Sequence, residues 1–184
     1  MRLSRRQLLR LLPLAVGGSQ AVLQLLVPEP AQAASRNAEA SWRLSDAEWR
    51  RRLSPAAYDV LRREGTERPF SSPLAAEKRA GTYACAGCGL ALFSSAAKYE
   101  SGTGWPSFWQ PLDGAIATKR DFRLIAPRTE YHCRRCGGHQ GHVFKDGPRP
   151  TGERWCNNGV ALAFKPGVAP AVPRKPPAPG RSQG

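Results

Sequence analysis

The sequence predicts a mainly β domain with short helices at its N-terminal end, and three observations predict it. Glycine and proline are abundant, 18 and 17 among 184 residues, while aromatics make up only 8%. That composition suits a loop-rich sheet protein better than a helical bundle. Helical periodicity stops at Thr66, and beyond it short apolar runs are separated by Gly and Pro, the pattern of antiparallel strands. The length suits one domain. Its modest core would gain from a further staple, a metal or a disulfide.

The first 33 residues read as a cleavable targeting segment. A basic start (Arg2, Arg5, Arg6, Arg10) precedes an apolar stretch over residues 11–27, and Ala31-Gln32-Ala33 offers small residues at the cleavage site, placed after Ala33. A permanent anchor fits less well. The run is short for a span and is diluted by Gly17, Gly18, Ser19, Gln20 and Gln24. The paired arginines in Ser4-Arg5-Arg6-Gln7-Leu8-Leu9 resemble a twin-arginine export signal, so the expected location is the periplasm.

Residues 34–43 read as a linker, and the folded domain is expected over 44–166. Ser45-Asp46-Ala47-Glu48 is a capping box that opens a helix to about Arg52. Ser54-Pro55 restarts a helix that Gly65 should stop, with Leu53, Tyr58, Val60 and Leu61 packing it on the body. Strands are expected at Thr82-Tyr83-Ala84, Ala91-Leu92-Phe93, Phe122-Arg123-Leu124-Ile125, His142-Val143-Phe144 and residues 160–164. The Pro-rich tail over 167–184 has little to bury and should be extended and disordered.

The formal net charge is +14; without the first 33 residues, 24 basic and 13 acidic residues leave +11. Such a charge favours acidic partners, anionic surfaces or nucleic acid, or is simply a solvated surface, and specifies no site.

The five cysteines divide into two pairs and one alone. Cys85-Ala86-Gly87-Cys88 and Cys133-Arg134-Arg135-Cys136 are matched, glycine-flanked C-x-x-C units. Two intervening residues let one tight turn aim both sulfurs at one ion, and four thiolates make a closed tetrahedral zinc site of the structural kind. Two disulfides or a redox-active pair explain the matched turns less well. A closed site has no position open for substrate, so the metal is expected to serve stability alone. Twin-arginine export, which carries folded proteins, would suit a chain that loads metal on reduced thiols first.

Cys156 stands in Arg154-Trp155-Cys156-Asn157-Asn158. On an extended strand Arg154 and Asn158 share its face, setting a cation and an amide beside a thiol. A buried structural Cys beside a surface Arg reads equally well from these residues. Among the histidines, His132 next to a metal ligand reads as structural, and His139 and His142 flank Gln140-Gly141. Ser101-Gly102-Thr103-Gly104-Trp105-Pro106-Ser107-Phe108 is a tight turn presenting a Trp, which could be core or a flat wall for a methyl or thioether group.

Together these segments resemble the B-type methionine sulfoxide reductases, which act on the R epimer of protein-bound methionine sulfoxide. The match runs from about Ser45 to Phe164. It includes Gly65-Thr66-Glu67-Arg68-Pro69-Phe70, both cysteine pairs, the Ser101 to Phe108 turn, Arg128-Thr129-Glu130, the run beginning at His139, and the segment from Arg154 to Gly159. The resemblance implies two antiparallel sheets in a tent-like arrangement, one Zn2+ on Cys85, Cys88, Cys133 and Cys136, and Cys156 as nucleophile. It also implies Trp105 holding the substrate methyl, His142 and Asn158 positioning the sulfoxide oxygen or a water, and His139, Asp146 and Arg154 shaping the site. Oxidised proteins would be substrates, and a thioredoxin-like protein or small thiol the reductant. Many relatives carry a resolving cysteine where this chain has Thr103, so no intramolecular disulfide is expected. Trp155 replaces Tyr or Phe, Asn157 an apolar β-branched residue, and Gln140 a Leu. A zinc-ribbon nucleic-acid module is the rival. No basic-aromatic stripe recurs, and export would remove the chain from nucleic acid, so a monomeric enzyme without nucleic-acid partners is expected.

Overall fold

The computed structural model describes residues 41–122 and 127–172. The targeting segment, the expected export signal and residues 123–125 of one expected strand therefore lie outside the described residues, as does the tail from 173. Among the described residues no helix is long and apolar enough to cross a membrane.

Two short helices open the domain, α1 (Asp46–Arg52) and α2 (Pro55–Arg63). The capping box forms as expected: Glu48 N–H reaches the Ser45 hydroxyl, and Ser45 N–H donates to the Glu48 carboxylate at 2.8 Å. Pro55 takes the first position of α2. The stop differs from expectation. Glu64, not Gly65, adopts the left-handed conformation, at φ 59°. A Cβ at Gly65 would lie 2.1 Å from Asp59 Oδ2, so any other residue there would have to displace that carboxylate. Trp42, expected in the linker, stacks on Trp49 of α1 with ring centroids 6.3 Å apart.

The remainder is strand and loop. β1 (Gly81–Cys85), β2 (Ala91–Ser94) and β9 (Leu162–Pro166) form a three-stranded antiparallel sheet in the order β2-β1-β9. A six-stranded sheet holds β3 (Lys98–Tyr99), β4 (Ser107–Phe108), β5 (Ile116–Asp121), β6 (Arg128–Cys133), β7 (His139–Phe144) and β8 (Arg154–Asn157). Its order is β3-β4-β8-β7-β6-β5, antiparallel throughout. Of the strand expected from Phe122 only Phe122 itself is described; it lies just beyond β5, which ends at Asp121, and is 69% exposed. An edge strand with a solvated face carries Lys and Arg rather than apolar residues, so Ile116–Asp121 escaped an apolar template. Val160 and Ala161, expected in the last strand, lie instead in a 3-10 turn, Gly159–Ala161. The tail holds at least to Pro170, whose carbonyl accepts from Ser94 Oγ at 2.7 Å.

The core lies between the sheets. Phe93 of β2 stacks on Phe108 of β4 at 4.2 Å, and Tyr131 of β6 meets Trp155 of β8 edge-on at 5.1 Å. Directly paired residues point to one face of a sheet. Phe108 pairs with Trp155, and Trp155 with Val143, forming a row that faces the core. The adjacent row, Tyr99, Ser107, Cys156 and His142, therefore faces away from it. A slip of one residue in β8 would bury Cys156 in the core and expose Trp155.

Candidate active site

The outward row floors a small cavity of about 140 Å³, lined by Thr66, Trp105, Arg128, Gly141, His142, Phe144, Cys156, Asn157 and Asn158. Gly141 lets β7 and β8 approach, because a Cβ at that position would stand 1.9 Å from the Cys156 carbonyl oxygen. A larger hollow of about 600 Å³ lies over Gln110, Ile116, Arg134 and Trp155, and no thiol or imidazole lines it.

Cys156 is half-buried. Removal from water pushes its thiol above the ordinary range, while the positive charge of Arg154 and the neighbouring Thr103 hydroxyl pull it back. Arg154 is held by a two-pronged pair with Asp146, at 2.8 and 2.9 Å, and its guanidinium lies 4.3 Å above the Phe144 ring. That pairing holds the Asp146 carboxyl below its usual range. Arg154 and Cys156 share a face, as expected. Asn158 does not extend the row, since β8 ends at Asn157. Its side chain returns to the cavity from the following turn. There its Oδ1 accepts from Glu67 N–H at 3.0 Å and its Nδ2 donates to the Gln140 carbonyl at 2.9 Å. An amide has two N–H donors, so one remains for a ligand.

His142 lies opposite Cys156 in the register, with Nε2 2.7 Å from Asp121 Oδ2. A carboxylate can only accept, so Nε2 carries the proton and donates. Burial lowers the His142 pKa and the Asp121 contact raises it, the net being a lowered value, so the ring is neutral at pH 7. Arg128 Nη2 donates to the same Asp121 oxygen at 2.7 Å. His139 is almost wholly buried behind His142, with ring centroids 5.5 Å apart, and its Nδ1 meets Glu130 Oε1 at 2.6 Å. His132, read as structural, meets the other oxygen of Glu130 at 3.0 Å. Desolvation works against the buried Glu130 carboxylate, yet both imidazoles together hold it down at about 2. Trp105 forms one wall, its Nε1 donating to the Glu67 carbonyl at 3.2 Å.

The structure thus puts Cys156, His142, Asn158 and Trp105 on one cavity. It sets Arg154 and Asp146 beside the thiol and His139 one layer behind. Three supporting carboxylates were given no role from sequence: Asp121, Glu130 and Glu67. Glu67 is the clasp of the site, since its carboxylate takes the N–H groups of Gly159 and Val160 at 2.6 and 3.0 Å. Arg128, Glu130 and Glu67 stood inside motifs that matched the family, and that was the only available signal. Asp121 had none.

The four remaining cysteines converge. Cys85 and Cys88 sit in the turn leaving β1, Cys133 and Cys136 in the turn leaving β6, all buried. Their sulfurs lie within 4.8 Å of one another, with Cys85 to Cys136 at 3.7 Å and Cys88 to Cys133 at 3.5 Å. A tetrahedron with metal–sulfur bonds of ~2.3 Å has edges of about 3.8 Å, so the four thiols fit one ion.

A model of the SelR domain matches residues 53–166. The chain belongs to the MsrB family of peptide methionine sulfoxide reductases. It is therefore an oxidoreductase. It is 52% identical over 122 residues to the peptide methionine sulfoxide reductase MsrB of Leptospira interrogans, covering 66% of this chain and 93% of that protein. The MsrB of Bradyrhizobium diazoefficiens is 54% identical over 123 residues, covering 66% of this chain and 88% of its own length. The chloroplastic peptide methionine sulfoxide reductase B1 of Arabidopsis thaliana is 47% identical over 136 residues, covering 73% of this chain and 66% of that protein.

Proposed function

We propose that this MsrB-family enzyme reduces methionine-R-sulfoxide in proteins through Cys156, without an internal resolving thiol. The observation that carries the reading is the thiol on the floor of a cavity walled by Trp105 and His142. The Trp105 face offers an apolar, polarisable seat for the substrate's S-methyl group. The Cys156 thiolate attacks the sulfoxide sulfur, and the oxygen takes up a proton and moves to the cysteine. Methionine leaves and Cys156 becomes a sulfenic acid. Overall one oxygen passes from methionine sulfur to cysteine sulfur, and two electrons pass the other way. Two external thiols then return Cys156 to the thiol, giving a disulfide and water.

His142, neutral and oriented by Asp121, holds a water or the departing oxygen, joined by the remaining N–H of Asn158. His139, Asp146 and Arg154 shape the site: Arg154 stabilises the thiolate, Asp146 fixes Arg154, and His139 backs His142. The other four cysteines hold one Zn2+, which ties two turns together and takes no part in the reaction. With those four set apart, Cys156 is the remaining thiol of the five.

Turnover of dabsylated methionine-R-sulfoxide with dithiothreitol tests the reading. The wild type should turn over, and Cys156→Ser should lose at least a thousandfold, on the order expected when a nucleophile is removed. Equal inactivity of both would overturn it. The basic start with Arg5 and Arg6, the apolar stretch after it and Ala31-Gln32-Ala33 support action in the periplasm, where the enzyme would repair oxidised exported proteins as a monomer. N-terminal sequencing of the mature protein should start at Ala34; retention of Arg5 and Arg6 would contradict export by the twin-arginine route.

A further inference from the structure

Two replacements seen in the sequence, Gln140 for a Leu and Asn157 for an apolar residue, stand between the thiol cluster and the catalytic strand. Gln140 lies on β7 and Asn157 follows Cys156 on β8. Both residues are fully buried. Gln140 Nε2 lies 3.4 Å from Cys85 Sγ and 3.5 Å from the Gly138 carbonyl oxygen. Gln140 Oε1 lies 3.5 Å from Asn157 Nδ2. The Gln140 backbone carbonyl accepts from the backbone N–H and the side-chain amide of Asn158, each at 2.9 Å.

These contacts allow one arrangement of the Gln140 amide. A carbonyl oxygen can only accept, so the group facing Gly138 is the NH2. The same NH2 then faces Cys85, and Oε1 faces the Asn157 amide. A cysteine sulfur bound to a metal is a thiolate and accepts hydrogen bonds. Four thiolates carry more negative charge than one Zn2+ neutralises. An N–H donor in a buried position, where no water competes, offsets part of that surplus.

We propose that Gln140 supports the metal from outside its ligand shell: its amide N–H donates to the Cys85 thiolate and tightens zinc binding, and Asn157 holds the amide in that direction. A Leu at the same place can make no such bond. The inference rests on the reading that the four cysteines hold one Zn2+. It gives the two replacements a task beyond satisfying each other, and it makes Gln140 a positioning residue for a metal ligand.

The test uses the full, reduced chain. Zinc affinity is measured by competition with a chromophoric chelator, and the sulfur-to-metal charge-transfer band is measured after Co2+ substitution. The variants are Gln140→Leu, Asn157→Val and the two together. Outer donors to metal ligands are worth on the order of tenfold or more in metal affinity. Gln140→Leu should therefore weaken zinc binding about tenfold. It should also move the Co2+ band to longer wavelength, because a sulfur without its hydrogen bond gives up charge more readily. The double variant leaves neither amide stranded, so its fold is not weakened by an unsatisfied polar group. It should nonetheless show the same loss of affinity and the same band shift. Asn157→Val keeps the donor and loses only its support, so it should fall between Gln140→Leu and the wild type. Unchanged affinity and band in Gln140→Leu would overturn the inference. So would recovery of both in the double variant, since the two amides would then serve only each other. A wild-type chain that bound no zinc would sink the metal reading and this inference with it, whereas a wild type holding one zinc beside unaltered variants would sink the inference alone.

Discussion

Burial and charge act in opposite directions on the Cys156 thiol. Desolvation dominates and raises its ionisation above the ordinary 9.0, against the pull of Arg154 and Thr103. The raised value favours the neutral thiol, so the reactive thiolate grows as pH rises. Alkylation of Cys156 should climb about tenfold per pH unit from pH 6 to 8 and still be rising at pH 9.0. A plateau near pH 7 would contradict this. His142 carries the opposite sign. Its pKa is lowered in the fold, so the folded state binds fewer protons than the unfolded one at mildly acid pH. The stability tied to its neutral form is present above the ordinary value of 6.5 and is lost as pH falls below it. His142→Gln should therefore flatten the acid side of a stability–pH curve, and an unchanged acid limb would count against a buried neutral imidazole. The residues bearing reactive atoms were legible from sequence because thiol, imidazole and indole announce their chemistry. Asp121, Glu130 and Glu67 were not. A carboxylate that orients another side chain looks like any surface acid until the fold closes on it, and Asp121 lies at the end of a charged edge strand.

At the scale of elements, two departures from the family pattern become one feature. Gln140 and Asn157, from β7 and β8, are both fully buried, and Asn157 Nδ2 donates to Gln140 Oε1 at 3.5 Å. Gln140 Nε2 also donates to the Cys85 sulfur at 3.4 Å. A buried polar group left alone costs about 1–3 kcal/mol, whereas removing both partners is nearly neutral. Gln140→Leu alone should therefore destabilise by about that amount, and Gln140→Leu with Asn157→Val should recover most of it. Strictly additive losses in denaturant unfolding would refute the pairing. Gly141→Ala belongs to the same pair of strands. Its Cβ would collide with the Cys156 backbone, so loss of turnover should accompany loss of stability. The capping box of α1 was readable because its signal spans only four residues. The strands β3 and β4 were not, since runs of two residues carry too little alternation to register. Their register comes from long-range pairing and from the aromatic row beneath.

For the whole molecule, the thiol cluster has the largest structural consequence. It joins the end of β1 in the three-stranded sheet to the end of β6 in the six-stranded sheet, so an ion there clamps both layers of the core. The prediction is one zinc per chain. Stripping it with a strong chelator should remove about 3 kcal/mol or more, lowering the thermal midpoint by ~10 °C or more. An unchanged midpoint after verified metal loss would deny the clamp. This much was visible in the matched C-x-x-C spacing. That there are two antiparallel sheets was legible through the family resemblance; that the active row lies outward and the aromatic row inward was not, since it follows from the register of β8 with β4 and β7.

The most direct test of Cys156 as the single working thiol is one turnover with methionine-R-sulfoxide and no reductant, followed by trapping and peptide mass mapping. The expected result is one methionine formed per chain, sulfenic acid on Cys156, and four other cysteines unmodified. A disulfide between Cys156 and any of Cys85, Cys88, Cys133 or Cys136, or methionine formed with Cys156 still reduced, would contradict it.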